Sequence, residues 1–453
     1  MSQWKFSGTI PKLEKGSKER ILTALCVLAG AEQAYFVPSD RENDGLGVHH
    51  PLREKVSERV GLFNFFSPKI NLPGMHGELR FVTDRAEGFD DRHKKATRLL
   101  IKILQDLYRD KTELTNLSPE ETQSGLTWFY NRMHAEIKAW HSESADHSEQ
   151  VAILYRHFKN HVSAESGSVF HSYFAKKKQF EFDYNRAALH DVGKFLIPLE
   201  VLSFEGDFRD KMPTEQRYRE QMNMHAPLGY YVLGAFGEEA AALAGYHHQF
   251  HTYTSPRKWK DMHKKDAFLR QAYPFFTSSL TIPVEAKVLQ VLDTAEGICH
   301  KRGYKGKNEN PDVNKRPLRS VAEMLPILAI EARAGVLDPL VVREFLEHRL
   351  YTPLLNFRST TLTHHPDFFK DEPRVGPWDS LTDVQRSYIM KEEPVQFRYG
   401  KEMIDAKGIE GVRKFLLGDL ELSRLAEEKK ADFRQKSWSK RLDFTPAGTQ
   451  GRA

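Results

Sequence analysis

The feature that most constrains the fold is a series of histidine and aspartate residues spread widely along the chain. Imidazole nitrogens and carboxylate oxygens together suit iron, manganese or zinc, and one carboxylate can bridge two cations. Ligands of one ion must lie close together, so a fold that uses this series has to bring several distant segments to one point. We therefore expect a site that holds at least two metal ions over a phosphate ester. The series consists of His147, His190, Asp191, His225, His247, His248 and Asp293.

Length and composition limit the class of protein. The chain has 453 residues, more than a typical single domain, so two or three domains are expected. Its 40% hydrophobic and 28% charged residues are typical of a soluble globular protein. A net charge of +5 permits anionic ligands without requiring nucleic acid. Only Cys26 and Cys299 occur, which excludes a disulfide framework or a cysteine zinc site and is typical of a reducing cytosol.

Neither a secretory signal nor a membrane-spanning segment is predicted. The first residues lack the apolar core of a signal peptide. The longest apolar run, from Ile21 to Ala31, is too short to cross a bilayer. We therefore expect a cytoplasmic protein without a membrane span.

The N-terminal part of the chain predicts a small α/β domain. Residues from Lys18 to Gly30 have the apolar spacing of a helix, and Ala34 to Val37 and Leu79 to Val82 predict strands. Asp90 or Asp91 can cap a long helix that closes the segment. This order resembles a GAF-type or PAS-type sensor domain, and an α/β dimerisation or packing domain is an equally good interpretation.

The middle of the chain has a mostly helical pattern. Ser118, Pro119 and Glu121 form the capping box of a helix start, and Asp338-Pro339 starts another helix by the same logic. A basic and aromatic segment from Ser255 to Phe276 interrupts the pattern as an inserted loop or short helix. Its basic residues are too few to predict a nucleic-acid surface.

The C-terminal part begins with a proline-rich stretch. Residues 350–400 contain many turn formers, which predicts irregular structure. A charged amphipathic helix is expected from Ile409 to Lys436, with Gly418 as a weak point. The last fifteen residues are expected to be disordered.

The ligand series divides into two groups. One ion could be held by His147, His190, Asp191 and Asp293. Asp191 could bridge to a second ion held by His225, His247 and His248. Glu143 lies one helical turn before His147 and could permit a third ion.

Single histidines in this chain are weak evidence, because 20 of them occur and most serve as surface or core residues. The adjacent pairs His190-Asp191 and His247-His248 are harder to explain in that way. Asp293 follows a strongly apolar segment, and a buried carboxylate needs a partner. A metal ion is the partner that the other residues favour.

The order of these residues resembles that of the HD superfamily of metal-dependent phosphohydrolases, and of its HD-GYP branch in particular. That branch comprises the cyclic di-GMP phosphodiesterases of bacterial signalling. The sequence AALHDVGKFLIP, at Ala187 to Pro198, resembles ALLHDIGKIGIP. Three further segments resemble HSxxVA, HxxxG and IPxxARILxxxD, and these are His147–Ala152, His225–Gly229 and Ile282–Asp293. The resemblance covers about residues 140–349.

Further positions agree downstream of Asp293. The family's arginine, tyrosine and lysine positions that follow this aspartate are occupied by Arg302, Tyr304 and Lys305. Leu337-Asp338-Pro339 stands where the family has FDP.

Three departures from the family pattern concern the substrate. The family's HHE is His247-His248-Gln249, and the nearest counterpart of GYP is Ala272-Tyr273-Pro274, beyond an insertion. The second acidic residue of the DxxD pair is Glu296. The metal ligands match the family while the substrate-shaping loop does not, so the identity of the substrate is less secure than phosphodiester hydrolysis.

The resemblance implies a role for each matching residue. The ligands of two divalent ions, or of three with Glu143, would be His147, His190, Asp191, His225, His247, His248 and Asp293. Iron and manganese are the expected metals. Lys194 would contact a phosphate oxygen, and Arg302 and Lys305 would hold the phosphates or guanine edges of the substrate. With Asp191 and Lys194 as catalytic residues, a metal-bridging hydroxide would open a cyclic dinucleotide, cyclic di-GMP in the first place.

The predicted fold class is mainly α. An all-helical HD-GYP-type catalytic domain at residues 113–349 is preceded by the α/β domain at residues 1–112. A C-terminal extension follows at residues 350–453, with irregular structure and a charged helix.

Two other functions fit the same residues. The first is an HD-type phosphohydrolase that acts on another nucleotide, such as a nucleoside mono- or triphosphate or a guanosine alarmone. The second is a signalling protein that binds a nucleotide without hydrolysing it. For Arg302 and Lys305 a solvated loop is as good an interpretation as substrate binding. A homodimer is expected by analogy with bacterial signalling enzymes.

Overall fold

The computed structural model describes residues 17–39, 45–49, 51, 64–83, 88–175, 180–204, 213–248, 282–299, 321–355 and 394–435. These residues are mainly helical, with a small antiparallel sheet near the N-terminus, which confirms the predicted fold class at this level. The chain forms two compact units. The first comprises Met1–Tyr155 and Glu181–Arg319, and the second comprises Arg156–Phe180 and Ser320–Ala453. The division into three domains at residues 112 and 349 stays a prediction.

The sheet of the first unit is built around one long central strand. Its strands are β1 Gln33–Pro38, β2 Leu46–His49, β3 Asn64–Phe66, β4 Lys69–Leu72 and β5 Met75–Thr83. The order is β2-β1-β5-β3, with β4 also paired to β5, and all pairs are antiparallel. The two strands predicted from sequence are confirmed as parts of β1 and β5. The other three have only three or four residues each, too few to show a period of two.

Helix α1, Ser17–Ala29, lies at the centre of the first unit. All nine residues from Ile21 to Ala29 are buried, so the helix is covered on every side. It contacts strands β1 and β2 and also helix α9, His225–Leu233. Gly30, at φ +66°, ends it in the left-handed conformation that suits glycine. The apolar core is therefore continuous from the sheet to the helix that begins with His225.

Two of the helices that follow begin at the capping residues that the sequence predicts. Asp90 accepts a hydrogen bond from the backbone N–H of Arg92 and caps α2, Asp91–Leu107. The capping box between Ser118 and Glu121 begins α3, Pro119–Trp140. The remaining helices up to residue 299 are α4 Ser142–Ala164, α5 His171–Phe174, α6 Phe180–Ala188, α7 Leu199–Leu202, α8 Pro213–Asn223, α9 as above, α10 Glu238–Tyr246 and α11 Val284–Cys299. Two 3₁₀ segments are Val192–Leu196 and Gly234–Phe236.

The second unit combines helices with a hairpin. Its later elements are α12 Val321–Arg333, α13 Pro339–Glu347, β6 Pro394–Tyr399, β7 Glu402–Lys407, α14 Gly408–Gly418 and α15 Leu420–Gln435. Asp338 caps α13 as predicted. The predicted single helix from Ile409 is two helices, because the extended backbone of Asp419 separates α14 from α15.

The expectation of irregular structure over residues 350–400 is wrong for β6. This strand pairs antiparallel with β7 across a turn in which Gly400 has φ +66°. The alternation of Val395, Phe397 and Tyr399 was the available signal, and Phe397 and Tyr399 pack against the Phe415 ring of α14. Proline content alone was a poor guide, because Pro394 occupies the first position of the strand, where a missing N–H is tolerated.

Several predictions fall outside the described residues. These are the inserted segment Ser255–Phe276, the substrate-binding residues Arg302 and Lys305, and the disordered C-terminal end. Within the described part of the chain, no helix has the length and apolar character needed to cross a membrane.

An ion pair in the second unit predicts a dependence of stability on pH. Glu410 accepts hydrogen bonds from Arg413 at 2.7 and 3.0 Å and from Arg349 at 3.3 and 3.4 Å. The bonds from Arg413 lower the pKa of Glu410 from 4.5 to about 2. A carboxyl whose pKa is lower in the folded state stabilises the fold above its unfolded pKa, and this contribution is lost as the pH falls towards 2.

Glu410→Gln should therefore lower the free energy of unfolding by about 1 kcal/mol at pH 7, a value limited by the partial exposure of the pair. The difference from wild type should shrink as the pH falls below 4.5. Calorimetric unfolding between pH 7 and pH 3 measures it. A difference that stays constant over this range would contradict the assignment.

Candidate metal centre

The structure brings all seven members of the His and Asp series together in the first unit. His147 lies in α4, His225 begins α9, and Asp293 lies in α11. His190-Asp191 follows α6, and His247-His248 follows α10. Six of the seven are buried, and the His248 side chain is 29% exposed. Segments that are far apart in sequence thus meet at one point.

Close packing of two glycines explains why the His190-Asp191 turn meets the start of α9. A Cβ atom on Gly193 would lie 1.9 Å from the carbonyl oxygen of His225 and 2.7 Å from the backbone nitrogen of Gly229. Any larger residue at position 193 would therefore push the 3₁₀ segment away from α9. The glycine after His190-Asp191 thus permits the approach that places Asp191 beside His225.

The first group of ligands surrounds one oxygen of Asp191. Asp191 Oδ2 is 3.5 Å from Nε2 of His147 and 3.5 Å from Nε2 of His190. Asp293 Oδ1 completes the group, at 2.9 Å from His147 Nε2 and 3.9 Å from His190 Nε2. Ligand atoms of His147, His190 and Asp191 all lie within 4.8 Å of one another, a spacing that one metal ion could bridge.

The second group faces the other oxygen of the same carboxylate. Asp191 Oδ1 is 3.2 Å from Nε2 of His225 and 3.7 Å from Nε2 of His247. His225 Nε2 is also 3.2 Å from His247 Nε2 and 3.0 Å from His248 Nε2. The two oxygens of one buried carboxylate therefore address two separate sets of imidazoles.

Hydrogen bonds to the backbone set the orientation of three of these rings. The Nδ1 atoms of His190, His225 and His247 lie 2.7, 2.5 and 2.7 Å from the carbonyl oxygens of Ala187, Met222 and Ala244. Each carbonyl is in the last turn of a helix, where it has no partner within the helix. A proton on Nδ1 leaves a lone pair on Nε2, which is the arrangement found in metal-binding histidines. Three helix C-termini also favour positive charge here.

Glu296 orients the fourth ring. His147 Nδ1 donates to Glu296 Oε2, one turn after Asp293 on α11, and both residues are buried. The sequence identified Glu296 only as a departure from the family's DxxD pair. The spacing of three residues from Asp293, which puts both side chains near one helix face, was the signal for this contact.

These ring orientations favour the binding of a cation between the Nε2 atoms. His225 and His247 use their Nδ1 protons on carbonyl groups, so their Nε2 lone pairs point at one another across 3.2 Å. His190 Nε2 is buried without a hydrogen-bond partner among the described residues. Such lone pairs repel unless a proton or a metal ion lies between them. The donor set therefore fits a divalent metal ion that accepts imidazole and carboxylate ligands.

The electrostatics of the site favour ligands that are ready to bind. Burial lowers the pKa of His190 to about 4 and that of His225 to about 3, so both rings are neutral at neutral pH. Burial by itself would raise the pKa of Asp191, but the positive charge of Lys194 beside it holds the pKa well below the usual value. Neutral imidazoles and an ionised carboxylate are the protonation states that metal binding requires.

Lys194 and Glu143 occupy different positions relative to the two groups. Lys194 Nζ donates to Asp191 Oδ2, the oxygen that faces His147 and His190, and the lysine is buried. Glu143 lies in the first turn of α4, is exposed, and belongs to neither group of closely spaced ligand atoms in the described chain. The structure thus gives no support to Glu143 as a ligand to a third ion. Gln249 and Tyr273 lie outside the described residues, like Arg302 and Lys305.

Comparison with family models and with curated proteins finds no match to this chain.

Loss of the shared carboxylate should abolish binding of both ions, because its two oxygens face both groups. We expect the wild type to take up about two equivalents of Mn²⁺ and Asp191→Ala to take up neither. Equilibrium dialysis followed by elemental analysis measures this. Asp110→Ala, which removes an exposed aspartate outside the site, is the control and should bind as the wild type does. Two tightly held ions in Asp191→Ala would place the metal elsewhere.

The contact between Glu296 and His147 predicts a graded effect on metal affinity. Glu296→Ala removes the acceptor for His147 Nδ1 and should weaken Mn²⁺ binding by about 10- to 100-fold. Glu296→Gln keeps an oxygen that can accept the same hydrogen bond, so its loss should be smaller. Calorimetric titration of the metal-free proteins measures both effects. Equal affinities for wild type, Gln and Ala variants would show that Glu296 does not orient the ring.

Proposed function

We propose that this protein is a metal-dependent phosphodiesterase of the HD-GYP type that hydrolyses a cyclic dinucleotide, most directly cyclic di-GMP. The observation that carries the proposal is that Asp191 turns its two oxygens towards two separate histidine groups. Such a carboxylate supports a pair of divalent cations held side by side, the arrangement used by two-metal phosphohydrolases. The collinear resemblance of the sequence to that family adds the reaction class and the substrate.

The residues that would hold the metal pair are those of the two groups. The first ion would be bound by His147, His190, Asp191 and Asp293, and the second by Asp191, His225, His247 and His248. When bound, a pair of iron or manganese ions would polarise a phosphoryl oxygen and make hydroxide available at neutral pH. The chain itself contributes imidazoles in a fixed orientation and a buried carboxylate that both groups share.

Lys194 contributes positive charge next to the site. Its ammonium group lies on Asp191 Oδ2, so a small movement of this side chain would bring it to an oxygen of a phosphate bound above the carboxylate. Burial strengthens the effect, because charges interact more strongly where water is excluded. We therefore propose that Lys194 offsets negative charge that develops on the phosphoryl group. Arg302 and Lys305 are proposed substrate-binding residues on the resemblance alone.

One alternative has a specific observation in its favour. The GYP counterpart, Ala272-Tyr273-Pro274, lies beyond an insertion, and Gln249 replaces the glutamate of HHE. Both changes affect positions expected to shape the substrate pocket rather than bind metal. Hydrolysis of a different nucleotide by the same metal centre is therefore the second candidate.

A substrate panel tests the proposal directly. Manganese- or iron-loaded protein would be incubated with cyclic di-GMP, cyclic GMP-AMP and linear nucleotides, and the products separated by chromatography. We expect the wild type to convert cyclic di-GMP to a linear dinucleotide and Asp191→Ala to show no turnover, because the metal pair is lost. Asp110→Ala should retain full activity.

The other outcomes are equally informative. Cleavage of a different nucleotide would keep the site and replace the substrate. No cleavage by protein that carries both ions would overturn the proposed activity in favour of nucleotide binding without hydrolysis.

A further inference from the structure

A buried arginine lies in the helix that leads to the His190-Asp191 pair. Arg186 is in α6, four residues before His190, and is 3% exposed. It takes no part in the two groups of ligand atoms. A guanidinium group carries a permanent charge and five donors in one plane, so its burial requires partners in particular places.

The partners of Arg186 come from three other helices of the first unit. Its Nη2 is 4.0 Å from Oε1 of Glu285, which is also buried. Its Nη1 is 3.5 Å from the backbone oxygen of Glu239. The third neighbour is Tyr155, which is fully buried. Burial raises the pKa of the Tyr155 hydroxyl, with Glu285 adding to the rise and Arg186 opposing it, and the hydroxyl has no hydrogen-bond partner among the described residues.

Each of these helices also carries a proposed metal ligand. Tyr155 is in α4 with His147, and Glu285 is in α11 with Asp293. Glu239 is in α10, which leads directly into His247. In every case the neighbour of Arg186 and the ligand are eight positions apart in the sequence. At about 1.5 Å of rise per residue, the arginine acts roughly 12 Å along each helix from the metal centre.

Stability alone is a poor reason to bury this ion pair. Removal of two charges from water is unfavourable, and apolar residues of similar size often stabilise a protein as well or better. Apolar residues cannot supply the directed polar contacts that a guanidinium group makes. A guanidinium that lies beside the Glu285 carboxylate of α11 and the Glu239 carbonyl of α10 restrains how those two helices are placed relative to α6.

We propose that Arg186 is a positioning residue for the metal pair. It fixes α10 and α11 against α6, so that the two ligand groups stand at the separation at which both ions bind. The inference rests on the proposed function only in requiring that the site holds two ions. It does not depend on which nucleotide, if any, is hydrolysed.

The test compares metal binding with stability in three variants. Arg186→Met removes the charge, and Arg186→Lys keeps the charge without the planar fork of donors. The double variant Arg186→Met/Glu285→Leu replaces the whole ion pair by apolar side chains and should unfold at or above the wild-type temperature. Arg98→Met is the control, because Arg98 is exposed on α2 and its guanidinium lies over the Phe66 ring of the sheet, away from the ligand groups.

Mn²⁺ titration of the metal-free proteins and electron paramagnetic resonance of the loaded proteins give the readouts. We expect wild type and Arg98→Met to bind both ions and to show the spectrum of a magnetically coupled pair. In the double variant the affinity for the second ion should fall by about 10-fold or more, and the spectrum should be that of isolated ions. Arg186→Lys should show a weaker loss of the same kind.

The outcomes distinguish failure of the positioning role from failure of the proposed function. A stable double variant with wild-type affinity and a coupled spectrum would overturn it, whether or not the protein hydrolyses a nucleotide. If both Met variants fail to fold, wild-type metal binding by Arg186→Lys would overturn it. Absence of metal from the wild type would overturn the proposed function first, and the positioning role with it. A coupled pair in a wild type that cleaves no nucleotide would leave the positioning role intact.

Discussion

The Asp191 carboxylate is the group on which the arrangement of the site depends. It is buried and ionised, and its two oxygens face histidines that arrive from four separate segments of the chain. A buried charge of this kind is costly unless positive charge surrounds it. Lys194 supplies part of that charge, and two cations would supply the rest. The fold around Asp191 can therefore be understood as a means of holding ligands at both of its oxygens.

The C-terminal ends of three helices orient histidine rings of the site. Three of the rings bond to carbonyl groups in the last turns of α6, α8 and α10. The same bonds select the tautomer that leaves Nε2 available. His147, in the interior of a helix, is oriented instead by the Glu296 carboxylate. The acceptor for the Nδ1 proton is thus a backbone carbonyl where the histidine follows a helix end, and a carboxylate where it lies within a helix.

The apolar core connects the N-terminal sheet to these helices. Helix α1 is buried on all sides between the strands and α9, so its position depends on both. Glycine at position 193 then allows the turn that carries Asp191 to contact the start of α9. A change in the packing of α1 would consequently alter the position of His225. This continuity is a property of the first unit and was invisible in the sequence, where the α/β segment resembled a separate sensor domain.

The sequence by itself determined the mainly helical fold, the caps at Asp90, Ser118 and Asp338, and the types and order of the candidate ligands. These features are local, because a cap or a helical period involves residues within one or two turns. Tertiary structure alone decided which oxygen of Asp191 faces which histidines, that Glu296 supports His147, and that Arg186 lies beside Glu285 and the Glu239 backbone. It also decided the short strands β2 to β4 and the pairing of β6 with β7. Such contacts join residues far apart in the chain, and their distances follow from helix packing and strand register, which spacing along one sequence does not contain.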